Sequence, residues 1–462
     1  MPPFKKEVSM SNLEGPPSPL SRDSDGILPG GGHLSMRCLR ACTPVFSYIG
    51  AFNQAVQDQW SSSNPKGNII LAVAENKISC DLILPRVNKE SVHGDMAMSY
   101  GPMTGTDRFR AAVADMMEAT FLKGAPVDPS KLICQAGCTG IIESLAMTLC
   151  NEGDAMLLPA PYYPAFDNDL MVKSKVEALP VFSQQADGYL PTIKELEAAR
   201  LGSERLGVTV RAVLLCNPNN PTGVIYPKEV MVAIIRWALE QNIHVISDEI
   251  YANSIFGDLT GEECTPFWSA GRLLTAAGGA ESEDMARGRV DEFVHVVYGM
   301  SKDWCMSGYR VGYLYTNNSR LHQAFGNIAC FSTVPGYIQE ALAPLLEDSE
   351  FVRGYVQKNR ERLAYSYSVL KKGLAAAGIP HHPCEAGMFL WLDLRALLPE
   401  SATWADEWDL FQTLAQEDKI VMSPGQPCHA EKPGYFRCCW AWVGPDALEV
   451  LCERLARRAA RG

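Results

Sequence analysis

The chain has 462 residues, 41 Lys plus Arg against 53 Asp plus Glu, and 47% hydrophobic residues, a composition that fits a large soluble globular protein of two or three domains. The formal charge of −12, with no dense basic stretch, argues against nucleic-acid binding. There is no apolar run of about eighteen residues and no secretory apolar block near the start, so the expectation is a cytoplasmic protein with no membrane association.

Residues 1–33 are rich in Pro, Gly and Ser and end in Gly30-Gly31-Gly32, which predicts a flexible tail. The glycine triplet follows no predicted strand, so it does not read as a phosphate loop. From Gly105 the pattern turns helical: Phe109, Val113, Met116, Met117 and Phe121 recur at three- and four-residue steps behind two candidate caps, Thr106 and Asp107. Short apolar runs at 155–158, 212–216, 243–247 and 295–298 read as strands, with 227–241 as the helix between two of them. Strand, helix, strand at this spacing predicts an α/β domain, a mostly parallel sheet with helices on both faces. Residues 261–291 are polar, acidic and Ala/Gly-rich, which predicts an exposed insertion. After Pro335 come a long helical stretch (337 to about 376), a strand (388–394), a helix (403–416), a strand near 435–442 and a terminal helix from Pro445, which together predict a smaller α+β domain. Fifteen cysteines are scattered through apolar runs without metal-site spacing, so reduced thiols and no metal are expected.

The polar residues cluster where the predicted strands end. Pro159-Ala160-Pro161-Tyr162-Tyr163-Pro164 follows the first, Asn-Pro-Asn-Asn-Pro-Thr-Gly (217–223) the second, Asp248-Glu249-Ile250-Tyr251 the third and Gly299-Met300-Ser301-Lys302-Asp303 the fourth. Each has a bland reading as a turn, a cap or a solvated lysine. Together they put an aromatic pair, an amide, a carboxylate with a phenol, and a lysine on one rim of a parallel sheet, where ligands bind. A lysine amine condenses with a carbonyl to form a Schiff base, and a carboxylate facing a pyridine nitrogen keeps that ring electron-accepting. The cofactor that uses both is pyridoxal 5'-phosphate. Tyr163 can stack on its ring, and Asn220 and Tyr251 can hold its phenolate oxygen. The amides of Cys138 and Thr139, with the Thr139 hydroxyl, open a helical run and are placed for its phosphate, with Arg310 as counter-charge.

At this point the sequence resembles a fold-type I pyridoxal-phosphate enzyme of the class I/II aminotransferase superfamily, and in particular its 1-aminocyclopropane-1-carboxylate synthase-like branch. The resemblance runs from about Phe46 to about Leu455. It rests on AENKISCDLI (74–83), GTDRFRAAVADMM (105–117), AGCTG (136–140), PAPYYPAFDNDL (159–170), NPNNPTG (217–223), SDEIY (247–251), SKDWCMSGYRVG (301–312) and YFRCCW (435–440). It implies Lys302 as the Schiff-base lysine and proton shuttle, Asp248 at the pyridine nitrogen, Tyr251 and Asn220 at the phenolate, Tyr163 on the ring and Arg310 at the phosphate. It further implies Arg437 as the clamp for a substrate α-carboxylate, Ala74-Glu75 beside the substrate, and Tyr100 reaching the phosphate of a neighbouring subunit in a homodimer with shared sites. The corresponding domain division is a tail (1–33), an N-terminal arm with part of the small domain (34–98), a large cofactor domain (99–335) and a small C-terminal domain (336–462).

Four residues depart from the family's pattern as plant-type synthases and the lysine signature show it. Met103-Thr104-Gly105 replaces Tyr-His-Gly, which removes a phenol, and Gly299 replaces a serine, which removes a phosphate ligand. Cys305 replaces a smaller or aliphatic residue. Transamination is therefore the expected reaction, since it needs least beyond Lys302. A β-eliminating C-S lyase comes second, cyclopropane synthesis third, and a catalytically silent binding protein is the non-enzyme alternative.

Overall fold

A computed structural model describes residues 35–42, 44–89, 98–183, 188–275 and 285–461. The tail expected at 1–33 lies outside them. The strands, in chain order, are β1 (Ile69–Ile70), β2 (Leu132–Gln135), β3 (Ala155–Ala160), β4 (Glu177–Phe182), β5 (Val210–Cys216), β6 (His244–Asp248), β7 (Val294–Gly299), β8 (Gly312–Thr316), β9 (Leu390–Asp393), β10 (Ile420–Val421), β11 (Ser423–Pro424) and β12 (Tyr435–Cys438).

Seven of these form one sheet in the order β2-β8-β7-β6-β5-β3-β4. Only β8 runs against its neighbours; every other direct pairing is parallel. Successive strand residues point to opposite faces, and here both faces are covered. Leu214 and Ile246 pack on one side with Ile141, Ile142 and Leu145 of the helix Gly137–Leu149. Val213 and Val245 pack on the other with Ile234 and Ile235 of the helix Lys228–Glu240. That two-sided burial is why these strands read as continuous apolar runs. The helix expected from Gly105 starts at Asp107, with Thr106 as cap, its hydroxyl accepting from the Phe109 amide at 3.3 Å.

In the C-terminal part, β9, β11 and β12 form an antiparallel sheet, and β1 reaches over to pair with β10, Ile69 opposite Ile420. The long helical stretch is two helices, Gly336–Glu347 and Ser349–Ala376. They break at Asp348, whose side chain caps the second by accepting from the Phe351 amide at 3.0 Å.

One expectation is corrected. The segment 261–291 is not simply an exposed insertion: Phe267 and Trp268 are buried against the sheet, and Ser269, Ala270, Leu273 and Leu274 are almost fully enclosed. The two aromatic side chains and the Leu pair carry it inward despite the polar residues around them. Its 276–284 part lies outside the described residues. Among the described residues, no helix is long and apolar enough to cross a membrane.

Candidate active site

The strand registers bring the site together. Cys216 at the end of β5 lies beside Asp248 at the end of β6, which pairs in turn with Val297 of β7. The loops that follow these strands therefore open on one rim, as expected for the carboxyl edge of a parallel sheet. They enclose a cavity of about 150 Å³ whose lining includes Cys138, Thr139, Tyr163, Asn220, Asp248, Tyr251, Lys302 and Arg310.

Asp248 is 4% exposed and accepts from the Ile250 amide at 3.3 Å. Burial pushes its carboxyl up to about 7, against the pull of that amide and of Lys302. A cationic group placed opposite it would offset the cost of burial. The neighbouring carboxylate anchors this turn. Glu249 accepts from the Ser247 hydroxyl at 3.0 Å, from the Ala270 amide at 2.8 Å and from the Ser269 hydroxyl.

Lys302 follows β7, and the next residue fixes its loop. Asp303 is buried and accepts from the Asn253 amide at 2.8 Å, the Tyr298 phenol at 2.9 Å and the Ser254 hydroxyl. With Asp303 held inward, the Lys302 amine donates to the Ala74 carbonyl at 2.6 Å. Burial holds this amine below the ordinary lysine range, with Arg437 adding to the effect and Glu75 opposing it.

Asn220 donates to the Tyr251 phenol at 3.2 Å, and its carbonyl oxygen accepts from Arg437 Nη1 at 3.1 Å. Arg437 is 1% exposed. It donates to the Ala72 carbonyl at 2.8 Å and the Ser423 hydroxyl at 3.0 Å, while its Nε has no partner. Among the described residues it forms no ion pair with a carboxylate. A buried guanidinium held only by neutral acceptors has capacity left for an anion.

At the other end of the cavity, Gly137 (φ +82) opens the helix Gly137–Leu149, and a Cβ there would run into the Arg310 guanidinium. Glycine is what lets the cation seat against the helix N-terminus, a favourable place for an anion. The Arg310 Nη1 donates to the Ser307 carbonyl at 2.9 Å and reaches the Ser301 hydroxyl at 3.4 Å. At Gly299 a Cβ would come within 2.9 Å of the Cys138 thiol and 2.8 Å of the Val311 carbonyl. A serine does not fit there while Cys138 occupies the space.

The remaining sequence-derived residues stand elsewhere. Ala74 reaches the cavity through its carbonyl. Glu75 contacts the Ser307 hydroxyl and lies 3.7 Å from the Lys77 amine. Tyr100 is not brought to this cavity; its side chain is 97% exposed. Sequence reasoning missed Ser301, Ser307 and Asp169, all of which line the cavity. Asp169 is 8% exposed and its Oδ2 has no partner. The available signal was helical spacing, since Phe166 and Asp169 lie three apart on the helix Ala165–Met171 that follows Tyr163.

A lysine amine, a buried carboxylate, an amide-phenol pair and an anion cradle in one cavity fit pyridoxal 5'-phosphate. Lys302 would hold its aldehyde, Asp248 its ring nitrogen, Asn220 and Tyr251 its phenolate, and Cys138, Thr139, Ser301 and Arg310 its phosphate.

Comparison with known proteins points to the same cofactor. The family model for aminotransferase class I and II matches residues 59–455. The 1-aminocyclopropane-1-carboxylate synthase 4 of Oryza sativa subsp. japonica is 35% identical over 434 residues, covering 90% of this chain and 86% of that protein. A probable aminotransferase of Arabidopsis thaliana is 34% identical over 439 residues, covering 92% of this chain and 85% of its own length. Among solved structures, the aspartate aminotransferase of Thermus thermophilus with maleate superimposes with a TM-score of 0.71 at 22% identity, covering 92% of this chain and 99% of that one. That likeness is one of fold.

Proposed function

The chain belongs to the aminotransferase class I and II family, whose enzymes depend on pyridoxal 5'-phosphate, and we propose that it acts on an α-amino acid by transamination. The observation that carries this reading is the Lys302 amine at the rim of one cavity with the buried Asp248. When bound, the cofactor supplies an aldehyde that condenses with amines and a ring that draws electrons from the substrate α-carbon. Lys302 takes the α-proton at Nζ, and its lowered basicity leaves more of the amine neutral and able to accept. Asp248 holds the proton of the ring nitrogen. Arg437 binds the α-carboxylate in its planar fork, and its bond to Asn220 ties the substrate clamp to the phenolate pair. The family's substrates are amino acids and its members are typically dimers, so a homodimer with shared sites is part of the same proposal, with the exposed Tyr100 serving the partner's phosphate.

A second reading, cyclopropane synthesis, is favoured by the identity to the rice synthase and by Glu75, an acid set beside the Lys302 contact at Ala74 and suited to a cationic side chain. One assay separates the two. The holoenzyme is incubated with an amino-acid panel plus 2-oxoglutarate, with S-adenosylmethionine and with S-substituted cysteines. Glutamate formation is the expected result. 1-Aminocyclopropane-1-carboxylate without glutamate would establish the second reading, and pyruvate with free thiol would make the protein a C-S lyase.

A further inference from the structure

One contact between the large sheet's loops and the C-terminal part is unused by the chemistry above. The Asp167 carboxylate accepts at both oxygens, from the Tyr162 phenol at 2.7 Å and from His429 Nε2 at 2.7 Å. A carboxylate only accepts, so this bond keeps a proton on Nε2. The His429 ring lies flat on the Tyr162 ring, with 4.3 Å between centroids and 21° between planes, and the Tyr162 amide donates to the Cys428 carbonyl at 2.9 Å. Tyr162 and Cys428 are buried, whereas the Asp167 and His429 side chains are 43% and 28% exposed. A pair so open to water adds little to stability. Its geometry therefore serves placement more than it serves the fold.

Both sides of the contact lead straight to the site. On one side, Tyr162 precedes Tyr163, which lines the cavity. Tyr163 meets Phe166 edge-on at 5.4 Å, its carbonyl accepts from the Phe166 amide at 3.1 Å, and Asp167 is the next residue. On the other side, His429 stands in the loop between β11 and β12, the ribbon in which Ser423 lies opposite Arg437. Both ends of that loop are tied to one buried carboxylate: Glu407 accepts from the Gln426 amide at 2.8 Å and from the Gly434 amide at 2.7 Å. Inside it, the Cys428 and Ala430 amides both donate to the Gly425 carbonyl, at 2.9 and 3.1 Å. His429 itself has a left-handed backbone (φ +57), which a non-glycine residue keeps only where its surroundings impose it. A loop this constrained follows its ribbon, so fixing His429 fixes Arg437.

We propose that His429 and Asp167 are positioning residues for the substrate clamp: their bond seats the ribbon that carries Arg437 on the loop that carries Tyr163, and so sets where the guanidinium stands relative to the cofactor ring. This rests on the reading of Arg437 as the α-carboxylate clamp and of Tyr163 as the residue stacked on the ring. Neither His429 nor Asp167 lines the cavity; both act through Arg437. The backbone bond from Tyr162 to Cys428 survives any change of side chain at 167 or 429, so losing the imidazole or the carboxylate loosens the ribbon without detaching it. A clamp misplaced by a fraction of an ångström binds its carboxylate less well, while a ligand that makes no use of the clamp is unaffected.

The test uses the holoenzyme and follows the absorbance of the bound cofactor as ligand is added. The standard L-amino acids are screened on the wild type, and the one that shifts the band most is titrated beside its decarboxylated amine, which can condense with the cofactor but offers Arg437 nothing to hold. His429→Ala and, separately, Asp167→Asn are each expected to weaken the amino acid about fivefold or more and the amine less than about twofold. The double variant is expected to weaken the amino acid no further than the worse single one, because either change breaks the same bond. A loss below about fivefold in either single variant overturns the proposal, and a cluster that only stabilised the fold would give that result with a lowered melting temperature. Equal weakening of the amine overturns it too, as does a double loss equal to the product of the single ones. Failure of the underlying reading looks different: no amino acid shifts the wild-type band, and this inference falls with it. Absorbance on binding reports the clamp and not the product, so the outcome is separate from which reaction follows.

Discussion

Asp169 and Asp248 face the same cavity, and Asp248 makes Asp169 harder to ionise. Burial, then Asp248, then Glu143 push the Asp169 carboxyl up to about 8, with Arg310 opposing. An unfolded aspartate titrates near ~3.9, so between about pH 4 and pH 8 the folded cofactor-free protein holds a proton at Asp169 that the unfolded chain has released. Stability therefore falls as pH rises through that window and levels off above it. Asp169→Asn removes this dependence, so the variant gains stability relative to wild type at pH 8.5 compared with pH 5, as read from urea unfolding of the cofactor-free proteins. An equal difference at both values would show that Asp169 is ionised throughout. The same acid marks where sequence reading ended at this scale. Lys302, Asp248, Tyr251 and Asn220 were legible because each terminates or follows a strand in a distinctive turn sequence. Asp169 sits on a helix among ordinary polar residues, and its burial is set by what the fold lays over it.

At the scale of elements, the central strands were readable because both of their faces are covered, whereas the outer ones were not. β4 is an edge strand with most of its residues partly exposed, so it shows no clean apolar run. β8 opens on Gly312, where a Cβ would come within 2.6 Å of the Gly137 backbone, and its role as the one reversed strand is a property of topology. The 261–275 segment failed for the opposite reason: a few apolar residues outweigh a polar composition. Its contribution can be measured. Ser269 donates to Glu249, which is fully buried and whose carboxyl burial pushes up to about 7. Ser269→Ala leaves that carboxylate short of one donor, which costs about 1–3 kcal/mol in urea unfolding. Because Glu249 adjoins Asp248, the cofactor absorbance band should shift as well. A cost below about 0.5 kcal/mol with an unchanged band would mean that Glu249 is anchored by Ser247 and Ala270 alone.

For the whole molecule, the proposed dimer has a physical address. Met98 is 89% exposed and Phe331 is 87% exposed, and their segments are joined where the Thr333 hydroxyl donates to the Met103 carbonyl at 3.1 Å. The Ala136 amide, just before the anion cradle, donates to Ser332 at 2.6 Å, so this face adjoins the phosphate end of the cavity. A groove of about 660 Å³ there is bordered by Phe331 and Met147 and shares Thr139 and Asp169 with the cavity. Two copies each carrying a charge of −12 repel at long range, so association has to come from apolar burial at short range, and these exposed side chains are suited to it. Phe331→Asp puts a charge into that contact. Light scattering after size exclusion is expected to move from the mass of two chains to that of one at micromolar concentration, with activity falling tenfold or more, since in the proposed dimer each site borrows a face from its partner. Mixing Lys302→Ala chains with Tyr100→Ser chains tests the sharing directly: a hybrid dimer pairs an intact lysine with the other chain's intact Tyr100 and recovers part of the activity that neither parent has. A Phe331→Asp monomer with full turnover would place the complete site within a single chain.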